Sequence, residues 1–295
     1  MRVIGCKWVF RIKEEPSGPH YKSRLCAKGY SQTKGIDYQE TYAPTVSIPV
    51  DPHITLKKEG GETAKNIPYR EAVGSLMHLA TVSRPDISYA VSLVSRFLNS
   101  YNESHWNAVK KIFKYLKETK DFGLYYTSTS EPNTVVGYSD ADFANDPNTR
   151  RSVTGYVFTR NGAAVTWACQ RQQTVALSTT EAEFMAACAA TKEAIWIKQL
   201  LLDIAVFNQK SVYLNLDNQS AISVIKNLNF HKRCKHIDIK FHFIKEKYYA
   251  KIIDLNYVSS DEQYADIFTK PLCKIKFCYL RDKIGMQSCL KVKNA

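Results

Sequence analysis

The sequence predicts an α/β protein whose second half is a layer sandwich built on a mixed five-stranded sheet with flanking helices. From residue 134 the apolar pattern alternates in three short runs, with Asn161-Gly162 as a hairpin turn between the second and third. Helical and strand periods then alternate, so a meander is followed by α-β-α-β-α, an order that combines antiparallel and parallel strand pairs. A third observation, a basic stretch of alternating polar and apolar residues near the start, places a small α+β piece ahead of the sandwich.

Taken in order, residues 1–47 open with Lys7-Trp8-Val9-Phe10-Arg11-Ile12-Lys13, turn at Pro16-Ser17-Gly18-Pro19 and resume alternation from Tyr21 to Tyr30. Residues 48–68 carry Pro49, Pro52, Gly60 and Gly61 with little periodicity, which predicts a linker. Residues 69–130 read as helical. Val73, Leu76, Met77 and Ala80 share one face, and Pro85 suits a first turn ahead of Ile87, Val91 and Val94. Trp106, Val109, Phe113 and Leu116 recur at helical spacing after Ser104, as a core stripe does.

The third segment, 131–272, holds the sandwich. Its strands are Thr134 to Ser139, stopping at Asp140, then Val153 to Thr159 and Ala164 to Ala168. Ser178-Thr179-Thr180-Glu181 forms a capping box that opens a helix carrying Phe184, Cys188, Ile195, Trp196 and Leu200. Val212 to Leu216 is a strand ending at Asp217, and a helix from Ser220 to Asn227 follows. A basic helix at 236–248, a strand at 252–258 and a helix at 262–269 complete the layer, leaving 273–295 as a tail.

Composition narrows the function. At 44% hydrophobic and 23% charged the chain has the makings of a core, which argues against wholesale disorder. No apolar run reaches the eighteen residues of a membrane span, and the opening residues lack a signal peptide's apolar stretch, so no membrane association or secretion is expected. Eight cysteines without a Cys-x-x-Cys pair predict free thiols in a reducing compartment. Forty-one Lys and Arg against twenty-eight Asp and Glu give a net charge of +13, which favours a polyanionic partner.

Open sheets of this kind bind ligands beyond the carboxyl ends of their strands. Asp140 and Asp217 each end a predicted strand, Glu183 lies near the start of the long helix, and Asp266 lies on the last one. Crowded carboxylates repel unless cations neutralise them, and hard oxygen ligands suit Mg2+, with Mn2+ as the alternative. Two such ions about 4 Å apart would clamp an in-line phosphodiester hydrolysis. Taken singly, each acid has a plain structural reading, as a turn or helix cap or as a complement to the helix dipole. Asp142 and Asp146 read as loop acids. Glu181 is the capping-box member, on the opposite side of the helix from Glu183.

Six motifs in order carry a resemblance. They are Gly137-Tyr138-Ser139-Asp140-Ala141-Asp142-Phe143-Ala144, Arg151-Ser152-Val153-Thr154-Gly155-Tyr156, Ala176-Leu177-Ser178-Thr179-Thr180-Glu181-Ala182-Glu183, Leu216-Asp217-Asn218-Gln219-Ser220-Ala221, Lys235-His236-Ile237-Asp238 and Ala265-Asp266-Ile267-Phe268-Thr269-Lys270-Pro271-Leu272. Together they resemble the ribonuclease H region of copia-type LTR retrotransposon Pol polyproteins. Upstream, Tyr69-Arg70-Glu71-Ala72-Val73-Gly74-Ser75-Leu76, Ser83-Arg84-Pro85-Asp86-Ile87 and His105-Trp106 are similar to the stretch joining that family's reverse transcriptase to its ribonuclease H. Gly5-Cys6-Lys7-Trp8-Val9-Phe10, Arg24 to Gln32 and Glu40-Thr41-Tyr42-Ala43-Pro44 resemble its reverse transcriptase fingers, and Leu280 to Met286 its carboxyl end.

The resemblance implies a ribonuclease H-like fold that cuts the RNA strand of an RNA–DNA hybrid, with Asp140, Glu183, Asp217 and Asp266 as catalytic and metal-binding acids. It also implies other retroelement Pol or Gag products as partners and an intracellular, cytoplasmic setting, with retroelement particles or the nucleus as alternatives. Residues 226–251 hold eight Lys and Arg against two acids, with aromatics among them. The expected nucleic-acid contacts are Lys232, Arg233, Lys235 and His236 in that stretch, together with Asn218 and Gln219.

Two departures qualify the resemblance. The family's polymerase palm holds its metals on an Asp-Asp pair, yet this sequence has no Asp-Asp dipeptide and passes from Val46-Ser47 almost directly into Pro49-Val50-Asp51-Pro52. No polymerase activity is expected without those carboxylates. The loop Ser259-Ser260-Asp261-Glu262-Gln263 lacks the His that cellular ribonucleases H carry before the last acid, as copia-type sequences also do, which lowers the expected rate more than the expected activity. Three readings follow: a metal-dependent ribonuclease H, a non-catalytic nucleic-acid-binding relic, and a decayed retroelement product.

Overall fold

The computed structural model describes residues 46–57, 67–127, 134–206, 209–227 and 238–289, and the backbone of 6–15 and 18–27. The chain divides into two compact units, residues 1–44 and 45–295.

In the first unit, strands β1 (Cys6–Glu15) and β2 (Gly18–Ala27) form the expected antiparallel hairpin, in register from Cys6 opposite Ala27 to Glu15 opposite Gly18. Gly18 and Pro19, expected in the turn, already belong to β2. Proline is tolerated there because a two-stranded ribbon has only edge strands.

The second unit departs at once from the expected linker: Val50 and Leu56 are buried in the core. Helices α1 (Tyr69–Val82), α2 (Ser88–Ser95) and α3 (Glu103–Glu118) follow, with a 3-10 turn at Pro85–Ile87 where Pro85 was placed. The N-cap of α3 is Asn102, whose Oδ1 accepts the Ser104 N–H at 3.0 Å while its own N–H donates to His105 Nδ1 at 3.0 Å. The buried face of α3 is His105, Ala108, Val109, Ile112 and Tyr115; Phe113 turns outward, as Met77 does on α1.

A buried ion pair ties this helical region together. Arg84 Nε and Nη2 donate to Asp86 Oδ1 and Oδ2 at 2.9 and 2.8 Å, and the Tyr115 hydroxyl donates to Asp86 Oδ2 at 2.6 Å. The remaining guanidinium donors reach the Thr119 carbonyl at 3.1 Å and its hydroxyl at 2.6 Å. Both charges are thus met by fixed partners, the condition under which a buried pair is tolerated.

The chain continues through β3 (Phe122–Leu124), β4 (Val135–Asp142), β5 (Val153–Arg160), β6 (Ala163–Arg171), α4 (Thr179–Asp203) and β7 (Val212–Leu216). It ends with α5 (Gln219–Lys226), α6 (Asp238–Tyr249), β8 (Ile253–Tyr257), α7 (Asp266–Thr269), α8 (Lys274–Lys283) and β9 (Met286–Ser288). The five-stranded sheet runs β6-β5-β4-β7-β8, with the meander antiparallel and the β4-β7 and β7-β8 pairs parallel. Alternation along β5 divides the core: Val157 packs with α1–α3, α7 and α8, while Phe158 packs with α4, α5 and α6 on the other face. Fully burying a side chain such as Phe158 contributes roughly 1.5–3 kcal/mol.

The segments expected as a helical connection and a separate sheet layer therefore share one core. The expected tail does too, since Phe277, Leu280 and Met286 are buried in it and β9 pairs antiparallel with β3. On α4 the buried stripe is Phe184, Ala187, Cys188, Thr191, Ala194, Ile197 and Leu201. Trp196 is 56% exposed and Leu200 43%, so the expected stripe lay partly on the wrong side. The cysteines at 169, 188, 273, 278 and 289 are free thiols. Among the described residues no helix is long and apolar enough to cross a membrane.

Candidate metal centre

The sheet fixes where the acids stand. β4 does not stop at Asp140 as its sequence suggested, because pairing with β5 carries the ladder on to Asp142 opposite Val153. Asp140 lies inside the strand, opposite Gly155, and Asp217 follows the last residue of the neighbouring parallel strand β7. A Cβ at Gly155 would stand 2.6 Å from Thr269 Cγ2 and 2.8 Å from Phe268 Cβ. Glycine there lets α7 lie directly on the sheet, and the Thr269 hydroxyl donates to Asp140 Oδ2.

Glu183 is aimed by the start of α4. Ser178 Oγ accepts the Glu181 N–H at 3.1 Å, and Glu181 Oε2 accepts the Leu177 N–H at 2.8 Å, so Glu181 serves the helix end as its motif predicted. Two residues on, Glu183 faces the sheet, where the Ala141 backbone favours its charged form. Its Oε2 is buried with no hydrogen-bond partner among the described residues. Asp217 Oδ2 accepts the Ser260 hydroxyl at 2.9 Å.

One carboxylate oxygen each from Asp140, Glu183 and Asp217 lie within 4.8 Å of one another. Burial pushes Glu183 up to about 9, and the charges of Asp140 and Asp217 add to the shift. Burial also raises Asp140, to about 7, with Asp266 and Asp217 pushing the same way and Lys270 and Thr269 pulling back. A divalent cation would relieve this repulsion, and the unpartnered Glu183 oxygen is a free ligand atom for one. The donor set therefore fits a hard cation.

Asp266 is placed differently. Its side chain is fully buried at the start of α7, with Lys270 Nζ 2.9 Å from Oδ1 and Lys276 Nζ 2.6 Å from Oδ2. Lys270 Nζ also lies 3.8 Å from Asp140 Oδ2. The structure thus gathers three of the four expected acids, and binds the fourth in ion pairs beside them. Asp142 ends β4, half-buried, and accepts from Asn145. Asp146 serves the fold instead. Despite burial, Arg171 at 2.7 Å, Thr149 and the Asn148 N–H hold its carboxyl down at about 2.

Of the expected nucleic-acid contacts, Asn218 caps α5 by accepting the Ala221 N–H at 2.9 Å, and Gln219 is exposed beside it. Lys232, Arg233, Lys235 and His236 lie outside the described residues. Sequence reasoning assigned no role to Gly155, Thr269, Lys270 or Lys276, although the first three lie in the quoted motifs. The Asp266–Lys270 pair at i,i+4 was a readable signal.

A three-strand antiparallel meander extended by two parallel strands, with acids gathered at the carboxyl ends of β4 and β7, defines a ribonuclease H-like α/β domain. Residues 1–51 match the family "Reverse transcriptase (RNA-dependent DNA polymerase)". The chain is 42% identical over 254 residues to the retrovirus-related Pol polyprotein from transposon TNT 1-94 of Nicotiana tabacum, covering 83% of this chain and 19% of that one. It is 34% identical to the Pol polyprotein from transposon RE2 of Arabidopsis thaliana, over 93% of this chain and 18% of the relative. The chain belongs to the copia-type Pol polyprotein family, and it spans about a fifth of the length of these curated relatives. Among solved structures, the ribonuclease H1 LC11 isolated from compost is similar at 16% identity and a TM-score of 0.37, over 46% of this chain and 93% of that one.

Proposed function

We propose that residues 131–272 hydrolyse the RNA strand of RNA–DNA hybrids with the help of Mg2+, Mn2+ being the alternative ion. The observation that carries this reading is the convergence of Asp140, Glu183 and Asp217 around an unpartnered, buried Glu183 oxygen. When bound there, a divalent cation supplies charge neutralisation at the scissile phosphate and orients the attacking water. The chain supplies the frame. Thr269 and Ser260 fix the Asp140 and Asp217 carboxylates. Gln219, exposed next to Asp217, and the basic stretch Lys232, Arg233, Lys235 and His236 would follow the hybrid's backbone. No polymerisation is proposed, for want of an Asp-Asp pair.

The non-catalytic relic is a second reading, and the ion pairs that neutralise Asp266 favour it. Cleavage of a labelled hybrid separates the two. Mg2+-dependent cutting lost in Asp140→Asn supports the enzyme; folded protein that binds the hybrid without cutting it refutes the enzyme and supports the relic.

A further inference from the structure

Asp140 stands between two groups of charges. On one side stand Glu183 and Asp217, with an oxygen of Glu183 left unpartnered. On the other stands Asp266, and the space between Asp140 and Asp266 already holds a positive charge: Lys270 Nζ, 2.9 Å from Asp266 Oδ1 and 3.8 Å from Asp140 Oδ2.

The Lys270 backbone is held on both sides. Its backbone N–H bonds the Asp266 carbonyl at 3.3 Å, Pro271 follows it, and Leu272 is buried in the core. Lys276 takes the remaining Asp266 oxygen at 2.6 Å, and the same ammonium reaches the Ser260 carbonyl at 2.9 Å, next to the hydroxyl that holds Asp217. Each Asp266 oxygen thus faces an ammonium, Oδ2 through a hydrogen bond from Lys276 and Oδ1 through an ion pair with Lys270 in which it accepts no hydrogen bond, and a second divalent ion would have to displace one of them.

We infer that Lys270 is a built-in cation occupying the position between Asp140 and Asp266, so that the unit takes one divalent ion, on Asp140, Glu183 and Asp217, and not two. This rests on the proposed metal centre and sets its stoichiometry. Lys270 acts as a positioning residue, supplying fixed charge where a second ion would otherwise sit. An ammonium has no open coordination position, so it holds Asp266 without orienting a water.

The test is Mn2+ binding to the full chain, counted from the loss of the free-ion electron paramagnetic resonance signal. Wild type is expected to bind one ion, and Asp217→Asn none. Lys270→Met is expected to bind two, and Lys270→Arg, which keeps the charge, one. Two ions in wild type, both lost in Asp217→Asn, would overturn the inference while leaving the metal centre standing. No ion in folded wild type would overturn both. One ion in folded Lys270→Met would also overturn the inference, and Lys270→Gln takes its place if the Met variant does not fold.

Discussion

A lone buried carboxylate and a cluster of acids in one folded unit have opposite electrostatic fates. Asp86 is met by a two-pronged Arg84 and by the Tyr115 hydroxyl, and every partner is itself anchored. Glu183 is buried as well, yet one of its oxygens meets no donor and two more acids stand within reach. The contrast separates an acid that holds the fold together from acids that the fold holds apart from their preferred state. Burial alone does not distinguish them; the count of fixed donors does.

The comparison breaks most visibly at Asp86. Asp86→Ala leaves the Arg84 guanidinium buried without its counter-charge and is expected to cost about 3–5 kcal/mol, measured by urea unfolding. A loss under about 1 kcal/mol would mean that the pair is not the anchor described.

At Glu183 the sign is reversed. Its proton is retained up to about 9 in the folded chain, against an ordinary 4.5. Between those values the folded state binds more protons than the unfolded one, so stability without divalent cations falls as pH rises through that window. Glu183→Gln removes the Glu183 share of the fall and leaves that of Asp140, which is raised to about 7. Its Tm in EDTA should match wild type near pH 4 and exceed it increasingly towards pH 9. A gap that stays flat with pH would put Glu183 in the same class as Asp86.

A smaller effect tests what sets the height of the acid cluster. Gly155→Ala forces Thr269 and Phe268 away from the sheet and should cost about 1–3 kcal/mol. Because Thr269 bonds Asp140, the same variant should also weaken Mn2+ binding, whereas Gly74→Ala, where an added Cβ meets nothing within 4 Å, should leave binding unchanged.

Much of this was legible in the residues. Strand alternation and Asn161-Gly162 located the meander, and the order of elements fixed a mixed sheet, because those signals are local. The rotation of a helix about its axis is not local. Period marked α3 and α4 as helices, but which residues face inward depends on neighbours far along the chain, and so Phe113 and Trp196 came out exposed while His105 and Thr191 went in. At the acid cluster, Asp217 was readable because β7 ends just before it and Glu183 because a cap precedes it, while Asp140 was marked by an expected strand end that the ladder in fact runs past. The state of Asp266 was not, since it depends on Lys276 in a segment that looked like a tail. Val50 and Leu56 were hidden in the same way, by prolines that suggested a linker.

The pairing of β9 with β3 has a kinetic consequence. Leu124 sits opposite Met286, so the helical region cannot complete its hydrogen-bond ladder until almost the whole unit has been synthesised. Contacts of such long sequence separation slow folding and lengthen the time that apolar surface stays open. A chain leaving the ribosome would hold Phe122 and Leu124 without their β9 partners while the five-stranded sheet between them is made.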